Sequence, residues 1–263
     1  MHGQVQWTAQ AGIAQVTLRH PGKFNAMSRA MWRELKTVFD ALRQHTEIRC
    51  IVVSGHGGHF CAGGDIAEYP AFRFDEASLR DFHEIDVWGG LDAMLRCDIP
   101  IVAQIDGHCM GAGVEIASCC DIRVAGVSAK FGAPIARLGF PMAPREAHLV
   151  SQAVGPMTAR EMLLEAAVLD APLMLARGFL NQVLADAQVA DEALARARRI
   201  AALAPQAARL NKQTFMALKS PYPIVAGSLD AMDSIVDKAY AYADSAEHRE
   251  GIAAFLDKRS PVF

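Results

Sequence analysis

The stretch IDGHCMGAGVEIASCCDIRVA, residues 105–125, has three glycines within seven residues and continues directly into an apolar pattern typical of a helix. Glycine lets a ligand approach the backbone, and the first N–H groups of a helix attract negative charge. A second glycine-rich turn, Ala62-Gly63-Gly64-Asp65, follows another apolar run. Two converging N–H donors make an oxyanion hole, so the turns together predict a site for developing negative charge. The alternative interpretation is that these tight turns simply need glycine.

Glu115 lies in the apolar helix pattern that follows the first of these turns, between Val114 and Ile116. It comes three residues after Ala112, nearly one helical turn, so its carboxylate could face the same side as the bare N–H groups. Burial would raise its pKa into a range that is useful for proton transfer. The alternative is an ordinary first-turn acid that the helix dipole stabilises.

The bulk composition excludes several classes of protein. The 263 residues are 52% hydrophobic and carry a net charge of −3, so no basic field favours nucleic acid or an anionic membrane surface. The six cysteines form no CxxC pair and are typical of buried thiols in a reducing compartment. Neither a signal peptide nor an apolar run of about 18 residues is visible, so we expect a cytoplasmic protein. The loop GHGGHFC, residues 55–61, lacks enough ligands to predict a metal site.

Short strands and helices alternate along the first part of the chain, which predicts an α/β fold. A hairpin is expected around AQAG, a helix after Ser28 as its N-cap, and buried strands at CIVVSG, IVAQIDG and DIRVAG. Helical patterns cover residues 75–96 and 111–119. Beyond Pro172 we expect few strands and the helix-like segments DEALARARRIAALA, QAARLNKQTFMALK, SLDAMDSIVDKAYAYA and EHREGIAAFLDKR, with a helical C-terminal lobe from about Ala204.

A dinucleotide-binding turn is the competing interpretation of Gly107, Gly111 and Gly113, because GxxxGxG occurs in some NAD-dependent dehydrogenases. Such turns usually open the first βαβ unit, whereas these glycines lie beyond residue 100. No acid follows about 20 residues downstream at a strand end. The pattern therefore favours the oxyanion interpretation.

Several segments along nearly the whole chain together resemble the enoyl-CoA hydratase/isomerase (crotonase) superfamily. They are PGKFNAMS (21–28), HFCAGGDI (59–66), residues 105–125, AKFGAP (129–134) and EHREGIAAFLDKR (247–259). The resemblance implies a spiral of ββα turns over residues 1–200, with a helical trimerisation region over 201–263. It also implies an acyl-CoA thioester as substrate, no tightly bound cofactor, and a homo-oligomer that is a trimer or a dimer of trimers.

The resemblance assigns roles to individual residues. The amides of Gly64 and Ala112 would hold the thioester oxygen, although Ala112 stands where a glycine is usual, and Glu115 would act as acid/base. Coenzyme A would lie against the segments 23–26 and 62–66, and two C-terminal residues of the same or a neighbouring subunit would contact its nucleotide. The implied coenzyme A contacts are Lys23, Ala26, Ala62, Asp65, Ile66, Phe255 and Lys258.

One departure from the family pattern bears on the reaction. Family hydratases use a second glutamate at the end of an FGxPE segment, and this chain has Ile135 there. Our hypothesis is that Glu146 replaces it, ahead of Glu68 and Glu84. The interpretation that the pattern favours is instead an Arg145–Glu146 pair in solvent at a helix start, after Pro144.

Two histidines are further titratable candidates near this departure. For both His83 and His148 the sequence favours a surface or core role. The sequence leaves hydration, isomerisation and decarboxylation open, together with non-catalytic acyl-CoA binding. The acyl group, any place in fatty acid metabolism, and trimer versus hexamer stay open too.

Overall fold

The computed structural model describes residues 2–218, 243 and 245–263. The strands are β1 Gln4–Gln10, β2 Ile13–Arg19, β3 Cys50–Gly55, β4 Ile101–Ile105, β5 His108–Met110, β6 Ile122–Gly126, β7 Lys130–Gly132, β8 Val168–Asp170 and β9 Gln182–Leu184. The helices are α1 Arg29–Leu42, α2 Glu76–Asp81, α3 Trp88–Leu95, α4 Ala112–Ser118, α5 Pro144–Val154, α6 Pro156–Leu164, α7 Ala171–Ala176, α8 Val189–Ala201, α9 Pro205–Leu218 and α10 Ala246–Leu256. The alternation confirms the predicted α/β class.

Two sheets organise the described chain. The larger has six strands in the order β1-β2-β3-β4-β6-β9, and the smaller has three in the order β5-β7-β8. The β1–β2 hairpin is antiparallel, and every later pair of the larger sheet is parallel. Parallel strands buried on both faces read as continuous apolar runs, which is why CIVVSG and IVAQIDG identified β3 and β4.

Helix α1 packs its apolar face against this sheet, as its sequence spacing predicts. Ser28 caps it by accepting a hydrogen bond from the Met31 N–H at 3.2 Å. The helical pattern predicted for residues 75–96 is present as α2 and α3 joined by a π-helical segment, Phe82–Val87. π-Helical segments occur frequently at functional sites, and this one carries His83.

The smaller sheet places the two glycine turns side by side. Strand β5 follows β4 after Gly107. The backbone of its Cys109 forms an isolated parallel β-bridge with Cys61, next to the other turn. Met110 N–H donates to the Cys61 carbonyl, and Cys61 N–H donates to the His108 carbonyl, both at 2.8 Å. The turns that follow β3 and β4 are therefore joined through their backbones, because parallel strands end at the same edge of a sheet.

The beginning of the C-terminal region is tied to the core. Helix α8 packs on the larger sheet, where Ala193 and Ala197 are fully buried. In α9, the Lys212 ammonium contacts the Ile99 carbonyl and the Asp121 carboxylate, both at 2.8 Å. The helix predicted for SLDAMDSIVDKAYAYA lies almost entirely outside the described residues, and the boundary between residues 200 and 201 stays a prediction.

Candidate active site

A cavity of about 320 Å³ lies where the two glycine turns meet. Gly64 of one turn and Ala112 of the other both line it. Ala112 is the first residue of α4, where the N–H has no partner within its own helix. In the part of the chain that the structure describes, the amide of neither residue donates a hydrogen bond to another backbone group. Two N–H donors are therefore available at one cavity.

The geometry of both turns depends on glycine. Gly63 has φ +113 and Gly111 has φ +46, which favour a residue without a side chain. The turns also touch, because a Cβ built on Gly111 would lie 3.6 Å from the Cα of Gly63. Gly113 packs under the other turn, where a Cβ would lie 2.6 Å from the Cys61 carbonyl oxygen. These glycines are required by the site as well as by the turns.

Gly64 is restricted by a side chain that the sequence did not single out. The Tyr69 hydroxyl occupies the position that a Cβ on residue 64 would need, and its ring carbon Cζ lies 3.1 Å from that position. Burial raises the pKa of Tyr69 to about 12, and the charges of Glu115 and Glu146 act in the same direction. The hydroxyl therefore keeps its proton at neutral pH and lies beside one of the two oxyanion amides.

Glu115 is buried in the same cavity wall, with 6% of its surface exposed. Its backbone N–H donates to the Gly111 carbonyl at 3.1 Å, which fixes it in the first turn of α4. Burial raises the pKa of Glu115 well above its usual range, and the neighbouring charge of Glu146 raises it further. A glutamic acid whose pKa is raised in this way, in the same cavity as the two amides, is suited to donate a proton.

Glu146 also lines this cavity, and the solvated Arg145–Glu146 pair that the sequence favoured is wrong. Only 3% of Glu146 is exposed, because α5 turns this face toward α4. Its Oε1 lies 2.8 Å from His83 Nδ1, whereas Arg145 pairs in solvent with Glu84 at 3.3 Å. The surface or core role expected for His83 is corrected as well, since His83 lines the cavity and holds Glu146.

The other candidate acids lie elsewhere. Glu68 accepts a hydrogen bond from the Arg29 N–H at 2.8 Å, and exposed Glu84 pairs with Arg145. Neither lines the cavity, and His148 is exposed, as expected. Ile135, by contrast, does line the cavity where the resemblance places the second glutamate. Glu146 thus supplies the second carboxylate of this cavity from a different element.

We expect Glu115→Gln to unfold at a higher temperature than the wild type at neutral pH. The folded protein keeps the Glu115 proton well above pH 4.5, whereas the unfolded chain releases it near that value. In this interval the unfolded state binds fewer protons, so the stability of the wild type falls as the pH rises from 4.5 toward the folded pKa. Glutamine is neutral throughout, so the variant avoids this loss.

Thermal unfolding at a series of pH values checks this, and each kcal/mol gained appears as about 2–4 °C for a chain of this size. The advantage of the variant should disappear below pH 4.5, where both states of the wild type are protonated. Glu76→Gln is the matched control, since its side chain is 88% exposed. A variant less stable than the wild type at neutral pH would refute the claim that the buried Glu115 carboxyl group lowers stability there.

The predicted coenzyme A segments lie next to each other at one end of the cavity. Lys23 Nζ contacts Asp65 Oδ2 at 2.6 Å, and the Ala62 N–H donates to the Phe24 carbonyl at 3.0 Å. Ala62 and Ile66 line the cavity, and Ile66 is exposed toward solvent. Ala26 is buried behind them. The segments 23–26 and 62–66 are therefore brought together, and their contact with coenzyme A stays a prediction.

The structure does not place the two C-terminal contacts at this cavity. Phe255 of α10 is 82% exposed, and neither it nor Lys258 lines the cavity. Within residues 2–218, 243 and 245–263, no group of three or more His, Cys, Asp or Glu side chains is arranged to hold a metal ion. No helix in the described part of the chain is long and apolar enough to cross a membrane.

The sequence patterns assign no individual role to several residues of the cavity wall, among them Tyr69, Arg73 and Phe140. The Arg73 guanidinium carbon lies 3.5 Å from the centroid of the Phe140 ring and 4.7 Å from that of Tyr69. These residues come from loops and a 3-10 helix without a regular period. The one available signal was an arginine among aromatic residues in the segment EYPAFRF, residues 68–74.

Comparisons with known proteins agree with this geometry. The family model described as Enoyl-CoA hydratase/isomerase matches residues 8–263. The chain is 29% identical to a "Probable enoyl-CoA hydratase" of Rhizobium meliloti, over 97% of this chain and 95% of that protein. It is also 29% identical to the "2,3-dehydroadipyl-CoA hydratase" of Escherichia coli, over 97% and 96%. A crystal structure of an enoyl-CoA hydratase/carnithine racemase from Magnetospirillum magneticum superposes with a TM-score of 0.90 at 35% identity, covering 98% and 94%.

Proposed function

Because this chain belongs to the enoyl-CoA hydratase/isomerase family, we propose that it adds water across the C2=C3 bond of an enoyl-CoA thioester. The observation that carries the proposal is the presence of two buried carboxyl groups, Glu115 and Glu146, in one cavity with the amides of Gly64 and Ala112. Ile135 removes the second acid from its usual position, and Glu146 offers a replacement. The reaction needs no tightly bound cofactor, since coenzyme A is part of the substrate.

The amides of Gly64 and Ala112 act on the thioester carbonyl. When hydroxide adds at C3, the electrons of the double bond move toward the carbonyl oxygen and form an enolate. Two preorganised N–H donors stabilise this charge, and removal of one such donor costs about 10²–10³ in rate in comparable sites. The donors are backbone groups, so the methyl group of Ala112 does not interfere with this role.

Glu115 and Glu146 divide the proton transfers. Two interacting carboxyl groups share one proton, and burial favours its residence on Glu115. Glu146 then removes a proton from water, whose oxygen bonds to C3, while Glu115 donates its proton to C2. The product leaves Glu115 ionised and Glu146 protonated, and return of the proton from Glu146 to Glu115 completes the cycle. His83 orients Glu146 through their 2.8 Å contact.

Incubation of the wild-type protein with crotonyl-CoA tests this proposal. Hydration removes the absorbance of the conjugated thioester, and mass spectrometry should show the addition of one water. A 3-enoyl-CoA that gains this absorbance, with crotonyl-CoA unchanged, would indicate an isomerase instead. Tight binding of the thioesters without conversion would indicate an acyl-CoA-binding protein. Release of carbon dioxide from a carboxylated acyl-CoA would indicate a decarboxylase.

We propose in addition a cytoplasmic homo-oligomer, a trimer or a dimer of trimers. The six cysteines are buried thiols, which suits a reducing compartment. Large apolar side chains of α9 and α10, such as Phe215, Phe255 and Leu256, are more than 60% exposed, as an assembly surface would be before association. Light scattering should give three or six times 28.4 kDa. A monomer would contradict the assembly and would leave Phe255 and Lys258 without a route to coenzyme A.

A further inference from the structure

Arg73 places a positive charge in the wall of the cavity that Glu115 and Glu146 line. Its guanidinium carbon lies 3.5 Å from the centroid of Phe140 and 4.7 Å from that of Tyr69, and the two ring centroids are 5.9 Å apart, so the rings meet the guanidinium from two directions roughly at right angles. Cation–π contact with the rings stabilises this placement. A guanidinium has five N–H donors, more than two ring contacts occupy, which leaves donors for hydrogen bonding.

One nitrogen of the Arg73 guanidinium lacks a hydrogen-bond partner. Arg73 Nη1 is the single buried side-chain nitrogen or oxygen without a hydrogen bond among the described residues. Burial lowers the pKa of Arg73, although a guanidinium stays charged in proteins. Leaving a charged donor buried and unpaired is costly, so such groups in a native structure require an explanation.

The nearby acid does not supply that partner. The negative charge of Glu146 acts on Arg73 electrostatically, but the hydrogen-bond contact of Glu146 is with His83. An acyl chain that ends in a methyl group would also leave Nη1 unpaired. A carboxylate would satisfy it, because two carboxylate oxygens match the guanidinium edge in a bidentate pair.

The position of Arg73 suits the end of an acyl chain. It lines the cavity of Glu115 and Glu146 and also a neighbouring, more open cavity of about 740 Å³. The two cavities share part of their walls, including Tyr69, Arg73, His83 and Phe140. An acyl chain with its carbonyl at Gly64 and Ala112 would lie in the same cavity as the two acids and Arg73.

We propose that Arg73 binds a carboxylate at the distal end of the acyl group, so that the substrate class is an enoyl-CoA with a second, free carboxyl group. This inference rests on the proposed function for the orientation of the thioester. It assigns Arg73 to substrate selection and leaves the proton transfers to Glu115 and Glu146.

Paired substrates test the assignment. The probes are 2-enoyl-CoA esters of four to ten carbons, each with a terminal methyl or a terminal carboxylate. The wild type should prefer the carboxylate at one length by about 10–100-fold in kcat/KM, the usual size of a charge-assisted hydrogen bond. Arg73→Met should abolish this preference by lowering kcat/KM for the carboxylate series more than for the methyl series, and Arg73→Lys should retain part of it.

Arg80→Met is the matched control, because Arg80 pairs with Glu76 on the surface. Equal loss of both series in Arg73→Met would mean that Arg73 only supports the wall, and would overturn the inference. Calorimetric binding of the saturated esters to wild type keeps this result separate from the proposed reaction. Tighter binding of the carboxylated ester without any hydration would refute the hydratase and support Arg73, whereas equal binding would overturn the role of Arg73 even if hydration occurs.

Discussion

Glu115→Gln should lower kcat for crotonyl-CoA hydration by about 10²–10⁴-fold, the usual contribution of a positioned acid or base. Glutamine preserves the size of the side chain but has no proton to donate to C2. The amides of Gly64 and Ala112 are untouched, so KM for the thioester should change little. The same variant is expected to be more stable than the wild type at neutral pH, which separates loss of chemistry from loss of folding. Stopped assays with equal amounts of folded protein measure the effect.

Glu76→Gln serves again as the matched control, since the Glu76 side chain is 88% exposed and pairs with Arg80. It should keep the activity of the wild type. A Glu115→Gln variant within about threefold of the wild type would remove Glu115 from the chemistry, because general acid–base catalysis contributes far more than that. The hydratase proposal would then lose its proton donor.

Glu146→Gln should lower kcat by a similar factor, about 10²–10⁴-fold, because the attacking water loses its base. The loss should be reversible at a second position. Ile135 lines the same cavity at the place where family hydratases carry their second glutamate. The double variant Glu146→Gln/Ile135→Glu should therefore recover part of the lost rate. The single change Ile135→Glu should not raise the wild-type rate to the same extent.

Glu84→Gln is the control for this series, because Glu84 does not line the cavity and pairs with Arg145 in solvent. Steady-state rates across a pH series should show the loss in Glu146→Gln and none in Glu84→Gln. If Glu146→Gln remained fully active, a carboxylate at residue 146 would be structural, held by His83 alone. Under this scheme, the change at residue 135 restores activity only if Glu146→Gln is itself slower than the wild type.

The sequence predicted the parts of this protein that depend on local patterns. Glycines after apolar strands located the two turns, and a lone acid one turn into a helix located Glu115, because glycine and helix periodicity act within a few residues. The resemblance then assigned the amides of Gly64 and Ala112. The same logic located β3, β4 and α1. The strands β5, β7, β8 and β9 have three residues each, too few for a period to be visible.

The sequence could not predict the environment of Glu146. Its partner His83 is 63 residues away along the chain, and a Pro-Arg-Glu start of a helix is typical of solvent-exposed capping. Burial of Glu146 follows from the packing of α5 on α4, which no local pattern encodes. Arg73 was missed for the same reason, since its partners Tyr69 and Phe140 come from two separate segments.

A crystal structure with a bound, slowly reacting acyl-CoA measures the central claim most directly. The account predicts the thioester oxygen within about 2.7–3.1 Å of the N–H nitrogens of both Gly64 and Ala112, the spacing of an oxyanion hole. C2 and C3 should lie between the carboxyl groups of Glu115 and Glu146. A thioester oxygen away from either amide, or an acyl chain that avoids the cavity between the two acids, would contradict it.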